Sequence, residues 1–132
     1  MNGSVMEYQE LTEKVIGCAY QVFNRMGFGF LESVYEKCML IELAKSGLKF
    51  EAQKNIQVFY EDEMVGDFIA DIIVEDILIL ELKSVRKIHK AHEVQLVNYL
   101  VATKKPVGLL INFAEEKVEI KRKVRQLKSN IS

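Results

Sequence analysis

The order of periodicities along the chain predicts an α/β fold, with a central mixed β-sheet flanked by helices on both faces. Two observations carry that expectation. First, two stretches with helical spacing precede three strand-like runs, and a third helix separates the last of these from two further strands. A helical crossover makes its strands parallel while tight turns make theirs antiparallel, so the sheet is mixed. Second, the run from Asp71 to Lys83 is largely apolar on both of its alternating faces, which calls for cover on both sides. With 132 residues, 49% of them hydrophobic, the chain fits one domain with a real core. No repeat, low-complexity tract or linker divides residues 1–132.

The first helix is expected from about Glu7 to Met26, where Leu11, Val15, Ala19, Val22 and Met26 recur three and four apart and form one apolar stripe. Gly27-Phe28-Gly29 interrupts it. A second helix follows from about Leu31 to Lys45, burying Leu31, Val34, Tyr35, Cys38 and Ile41 and ending at Ser46-Gly47, with glycine past its last turn. Leu48 to Tyr60 reads as extended, with Ile56, Val58 and Tyr60 alternating against Gln57 and Phe59. Glu61-Asp62-Glu63 makes a polar turn into a strand from Met64 to Val74, in which Gly66 marks a bulge. After the next strand, a basic loop leads to a helix from about Ala91 to Ala102. There His92, Gln95 and Tyr99 share a face and Val94, Val97 and Val101 form an apolar stripe. Val107 to Phe113 is a buried strand. Val118 to Val124 pairs with it around Ala114-Glu115-Glu116, and residues from about 126 to 132 read as a frayed tail.

Composition bounds the partners. A formal net charge of −1 gives no bulk attraction to nucleic acid. The distribution is more informative: Lys83, Arg86, Lys87 and Lys90 follow the central strand, while Lys117, Lys121, Arg122, Lys123, Arg125 and Lys128 crowd the C-terminal end. Each cluster alone reads as a solvated face; flanking a carboxylate site, they are compatible with a phosphate track. No apolar run approaches the ~18 residues of a membrane span, and the start lacks a basic and hydrophobic signal, so the expectation is a cytoplasmic protein with no membrane association. Cys18 and Cys38 lie in helical patterns without zinc or redox spacing and read as buried thiols.

The chemistry concentrates between Asp71 and Lys83. Alternation puts Glu81 and Lys83 on one face and Leu82 on the other. Asp71 joins Glu81 and Lys83 only if it stands opposite Glu81, which demands an odd loop of about three residues or a bulge. Buried ion pairs are a weak source of stability, so two carboxylates and an ammonium on a covered sheet ask for another purpose. A hard cation, Mg²⁺ or Mn²⁺, would supply it, held by Asp71, Glu81 and the main-chain carbonyl of Leu82 with the remaining positions left to water. Lys83 would orient or deprotonate the water that attacks a phosphodiester. His89 and His92, near a helix start, read as surface or capping residues rather than ligands.

Asp71 followed by Glu81-Leu82-Lys83 resembles the D…E-x-K core of the PD-(D/E)XK nuclease superfamily, and Gln95-Leu96-Val97-Asn98-Tyr99 is similar to the Q-x-x-x-Y element of its RecB-like and Cas4-like branch. Gly29-Phe30-Leu31-Glu32-Ser33-Val34-Tyr35 matches the signature of the GxxExxY family within that superfamily. The resemblance spans about Leu11 to Arg122, departing at Phe23, where the family often has histidine, and at Phe28, where it often has proline. It implies a PD-(D/E)XK nuclease-like core, catalytic roles for Glu32, Asp71, Glu81 and Lys83, metal ligation by Asp71 and Glu81, and positions for Gln95, Tyr99 and Tyr35 that orient the site or contact substrate. The expected function is metal-dependent hydrolysis of DNA, with a homodimer as a plausible assembly. The competing reading is a non-catalytic nucleic-acid-binding or protein-interaction module on the same scaffold.

Overall fold

A computed structural model describes residues 3–125, with side chains from Tyr8 onward; the expected tail from 126 and Lys128 lie outside the described residues. Helix α1 spans Gly3–Met26 and α2 Glu32–Lys45, followed by β1 Phe50–Tyr60, β2 Glu63–Val74 and β3 Leu78–Lys83. Helix α3, Lys90–Thr103, then crosses to β4 Val107–Phe113, and β5 Val118–Val124 closes the sheet. The five strands lie in the order β1-β2-β3-β4-β5. Only β3 and β4 run parallel, joined by the helical crossover. The other pairs are antiparallel hairpins. The fold is therefore the expected mixed α/β sheet.

Two apolar clusters sandwich it. On one face, Val15, Ala19 and Val22 of α1 and Tyr35, Met39 and Leu43 of α2 pack on Ile72, Leu80, Leu82 and Ile111. On the other, Leu96 and Leu100 of α3 pack on Ile73, Ile79 and Leu110. Gly108 permits the close approach of α3, since a Cβ there would lie 2.8 Å from Leu96 Cδ1. Helix α2 ends as its sequence predicts. Gly47, at φ 76, sends its N–H to Ala44 O while the Leu48 N–H reaches Leu43 O, the two bonds of a Schellman cap.

Several burial expectations need correction. Leu31, just before α2, and Ile41 on it are exposed, and Met39 and Leu43 join Tyr35 inside. Val94 and Val101 are exposed on α3 and Leu96 and Leu100 are buried instead. Both helices carry apolar residues on more than one stripe, and docking on the sheet selects the stripe that is buried. Simple alternation would put Ala70 on the face of Ile72, yet it packs with Ile73 and Ile79 on the other, a break that coincides with irregular β1–β2 pairing around Asp71. Ile69 and Tyr60 are exposed. The outer half of the β1–β2 hairpin carries a register shift at Val58/Phe59, beside Gly66. Cys18 is buried, Cys38 half-buried, and both are free thiols.

Candidate active site

The β2–β3 turn is the three-residue loop Glu75-Asp76-Ile77, with Glu75 and Asp76 in the left-handed region at φ 54 and 58. That odd count sets the register Val74↔Leu78, Ile73↔Ile79 and Ile72↔Leu80. One step further, where Asp71 and Glu81 would pair, the ladder gives way to side chains. The Asp71 N–H donates to Glu81 Oε2 at 3.1 Å, and the Leu82 N–H donates to Asp71 Oδ2 at 2.8 Å. Across the other edge of Asp71, Gln53 turns to φ 54 between the pairs Ala52↔Ile72 and Lys54↔Ala70. Asp71 thus sits at a local opening of the sheet, with its carboxylate bridging to β3.

Burial dominates the electrostatics, with repulsion between neighbouring carboxylates added to it. Loss of solvent, and then the Asp71 charge, raise the Glu81 carboxyl to about 8. Asp71 is also raised, first by burial, with Glu32 adding to the effect against the lowering influence of the Leu82 N–H and Lys83. Burial therefore works against ionisation of both carboxyls, most strongly at Glu81.

Lys83 is half-buried and makes no ion pair with a described residue. Its position is set from below. Asn112, fully buried beside Lys83 in the β3–β4 register, accepts from the Val85 N–H at 2.9 Å and donates to the Val85 carbonyl and to Glu119 Oε1, both at 2.8 Å. The chain leaving Lys83 is thereby clamped on both of its polar groups.

Glu32 opens α2 and is exposed, near enough for its charge to act on Asp71 and Glu81. Glu36, one turn later on the same helix face, bonds to Gln53 at 2.7 Å, and burial followed by the Asp71 charge raises its carboxyl. Tyr35 is fully buried and stacks on Phe113 with ring centroids 4.3 Å apart. Its hydroxyl donates to the Gly27 carbonyl and accepts from the Phe30 N–H. Tyr35 therefore fastens the loop that leads to Glu32, and its burial keeps it from direct contact with a substrate.

Helix α3 forms the opposite wall. Tyr99 stacks on Phe68 at 3.7 Å, and burial, then Glu81 and Asp71, raise its hydroxyl. Two turns earlier on that stripe, His92 accepts the His89 N–H on Nδ1 at 3.2 Å. Burial first, then Lys83, lower its pKa while Glu32 opposes them. Gln95 stands between them and is exposed. The structure thus groups Asp71, Glu81, Lys83, Glu32 and Tyr99 around one end of the sheet. A cleft of ≈790 Å³ lined by Glu10, Lys14, Glu75 and Ile77 among others lies by the β2–β3 turn, at the far end from these carboxylates.

A family model for the PD-(D/E)XK nuclease superfamily matches residues 9–123, which takes in every residue of this constellation. The chain belongs to the PD-(D/E)XK nuclease superfamily. Among solved structures, the crystal structure of SSO0001 is similar in fold, with a TM-score of 0.58 and 15% identity. The match covers 74% of this chain and 52% of that one, so the chain spans about half the length of that protein. No curated protein matches the chain.

The donor set suits the divalent cations that PD-(D/E)XK nucleases generally use. Asp71 and Glu81 each commit one oxygen to a backbone N–H, and no described residue is hydrogen-bonded to Asp71 Oδ1 or Glu81 Oε1. In extended backbone a residue's carbonyl points to the same edge as its N–H, which directs the Leu82 carbonyl toward Asp71. Among the described residues no group of three or more Asp, Glu, His or Cys side chains is placed to hold a metal ion, so the site offers a pair of carboxylates. Two carboxylates with open positions match Mg²⁺, which retains waters, better than a structural metal. Sequence reasoning missed Glu36, whose four-residue spacing from Glu32 was the available signal, and Asn112, whose polar side chain inside an apolar strand was another.

Proposed function

We propose that this protein is a nuclease that hydrolyses phosphodiester bonds in DNA with Mg²⁺ or Mn²⁺, and that it belongs to the GxxExxY group of its superfamily. The observation that carries the reading is the pairing of Asp71 with Glu81 at the open end of the β2–β3 hairpin, with Lys83 on the same strand. Asp71, Glu81 and the Leu82 carbonyl would hold the cation, which supplies Lewis-acid stabilisation of the charge that develops on the phosphoryl group. Lys83, free of carboxylate partners among the described residues, orients the attacking water and offsets negative charge through its ammonium. Glu32 is an accessory acid that accepts a hydrogen bond from that water. Tyr99 and Gln95 orient the site from α3, and Tyr35 orients it by holding the loop before Glu32.

The charge distribution supports a nucleic-acid substrate. Arg86, Lys87 and Lys90 are exposed after Lys83, and Lys121 and Arg122 are exposed on β5. Lys121 shares the register row of Glu81 through Leu110, about 10 Å away at the usual strand spacing. Among the described residues no helix is long and apolar enough to cross a membrane, which is consistent with a cytoplasmic enzyme.

The test is cleavage of duplex, single-stranded and branched DNA by the purified chain in MgCl₂ or MnCl₂, with RNA in parallel. Lys83→Ala should lower the rate about 10²- to 10³-fold, the cost of losing one preorganised stabilising group, while leaving the urea midpoint nearly unchanged. Cutting that survives this substitution would come from a contaminant and defeat the assignment. Salt-sensitive binding without turnover would select a non-catalytic scaffold instead.

A further inference from the structure

Beside the carboxylates lies a cleft of ≈570 Å³ lined by Phe28, Gly29, Phe30, Leu31, Glu32 and Ser84. Its rim is unusual for a soluble protein, because Phe28 and Phe30 are 41% and 43% exposed and Leu31 74%. These apolar groups are held in place. The Tyr35 hydroxyl clasps the loop at the Gly27 carbonyl and the Phe30 N–H, and Ser84 Oγ donates to the Phe30 carbonyl at 2.9 Å. Between the two phenylalanines, Gly29 takes φ 112, a backbone state that disfavours any side chain.

We propose that this ridge is a stacking platform for an unpaired base, so that the substrate is a nucleic-acid strand with a single-stranded end or flap rather than a continuous duplex. The inference rests on the hydrolytic reading above and deepens it. Continuity places the cleft. Glu32 belongs both to its lining and to the carboxylate group, and Ser84 directly follows Lys83. A base seated on Phe28 or Phe30 therefore belongs to the same strand whose phosphate lies at Asp71 and Glu81, or to its immediate neighbour. Charge agrees with that occupant. The segment that Ser84 ties to the ridge continues into the exposed Arg86, Lys87 and Lys90, and a cationic track beside exposed aromatics is how proteins grip single strands. Within a duplex the base faces are occupied by neighbouring bases, so a protein aromatic can stack only on a base that has left the stack.

The experiment measures affinity of the full chain for DNA in CaCl₂ by fluorescence anisotropy, using a single-stranded oligonucleotide, a duplex with a single-stranded flap and a blunt closed duplex. A 2-aminopurine in the unpaired segment reports stacking. The wild-type protein should prefer the two probes with unpaired bases and change the 2-aminopurine emission. Phe28→Ala should weaken both by about 5- to 100-fold, the usual cost of one lost base–aromatic contact, with blunt-duplex affinity within about twofold and the urea midpoint unchanged. Phe28→Trp should restore binding. Phe30→Leu serves as a second probe, since Phe30 also meets Tyr35 edge-on at 6.1 Å. Equal weakening on all three DNAs, no weakening on any, a wild-type preference for blunt duplex, or no DNA binding would each overturn the platform. Because no turnover is needed, a catalytically dead protein that passes these tests would refute the hydrolytic reading alone.

Discussion

Glu81→Gln should make the metal-free protein more stable at alkaline pH. In the folded state the Glu81 carboxyl titrates near 8, against 4.5 for an unperturbed glutamate, a gap worth on the order of 5 kcal/mol at ~1.4 kcal/mol per pH unit. The folded pKa is the higher one, so the folded state binds the proton more tightly. The contribution is fully present below about pH 4.5 and is lost as pH rises toward 8, because the unfolded chain ionises first. Asp71 is raised as well and adds a loss of the same sign. Glutamine keeps an acceptor for the Asp71 N–H and cannot ionise. Urea unfolding in EDTA from pH 5 to pH 9 should show wild-type stability falling by a few kcal/mol while the variant stays nearly level. Added Mg²⁺ should recover the wild-type loss with an affinity that increases with pH, because cation binding displaces protons, and should do little for the variant. Parallel decline of the two proteins would refute the argument that burial of this pair sets their titration.

Asn112→Ala removes the two-point clamp on Val85 and should cost about 2–3 kcal/mol in urea unfolding through the polar groups left unpartnered. It should also slow any cleavage by loosening Lys83, and an unchanged rate would separate the clamp from the site. Tyr35→Phe leaves the Phe113 stack but deletes the hydroxyl clasp; a loss of about 1 kcal/mol with faster hydrogen exchange at the Phe30 amide is expected. Unchanged protection of that amide would show that the loop is held by other contacts.

The approach of Asp71 to Glu81 was legible in the sequence because side chains alternate along a strand. Once Glu81 and Lys83 share a face, an odd turn or a bulge brings Asp71 opposite Glu81, and the three-residue turn Glu75-Asp76-Ile77 supplies it. The helices were less legible because their apolar residues cover too much of the circumference. On α2 the sequence offered Leu31, Val34, Tyr35, Cys38 and Ile41, and the sheet took Tyr35, Met39 and Leu43. On α3 it took Leu96 and Leu100 in place of the valine stripe. The function of the Tyr35 hydroxyl was hidden for a different reason. Its partners, Gly27 and Phe30, are positioned by the positive φ of Gly27 and Gly29, which spacing in the chain does not specify.

The hairpin's hydrogen bonding explains how a stable sheet can end in a site that needs charge. Strands β3 and β4 are buried almost throughout, where an unmatched backbone group would be costly. Continuing the β2–β3 ladder through Asp71 and Glu81 would satisfy the backbone but give the carboxylates no backbone partner. The observed arrangement divides each carboxylate instead. Asp71 Oδ2 and Glu81 Oε2 replace ladder acceptors for Leu82 and Asp71, leaving the second oxygen of each without a described partner. A cation held by those outer oxygens would leave the inner bonds intact, so occupation of the site requires no rearrangement of the hairpin. The backbone bonds also orient both carboxylates before any cation arrives, which lowers the cost of ordering ligands on binding. The raised Asp71 and Glu81, set first by burial, are the cost of holding two carboxylates in this position, and a dication bound between them would offset it.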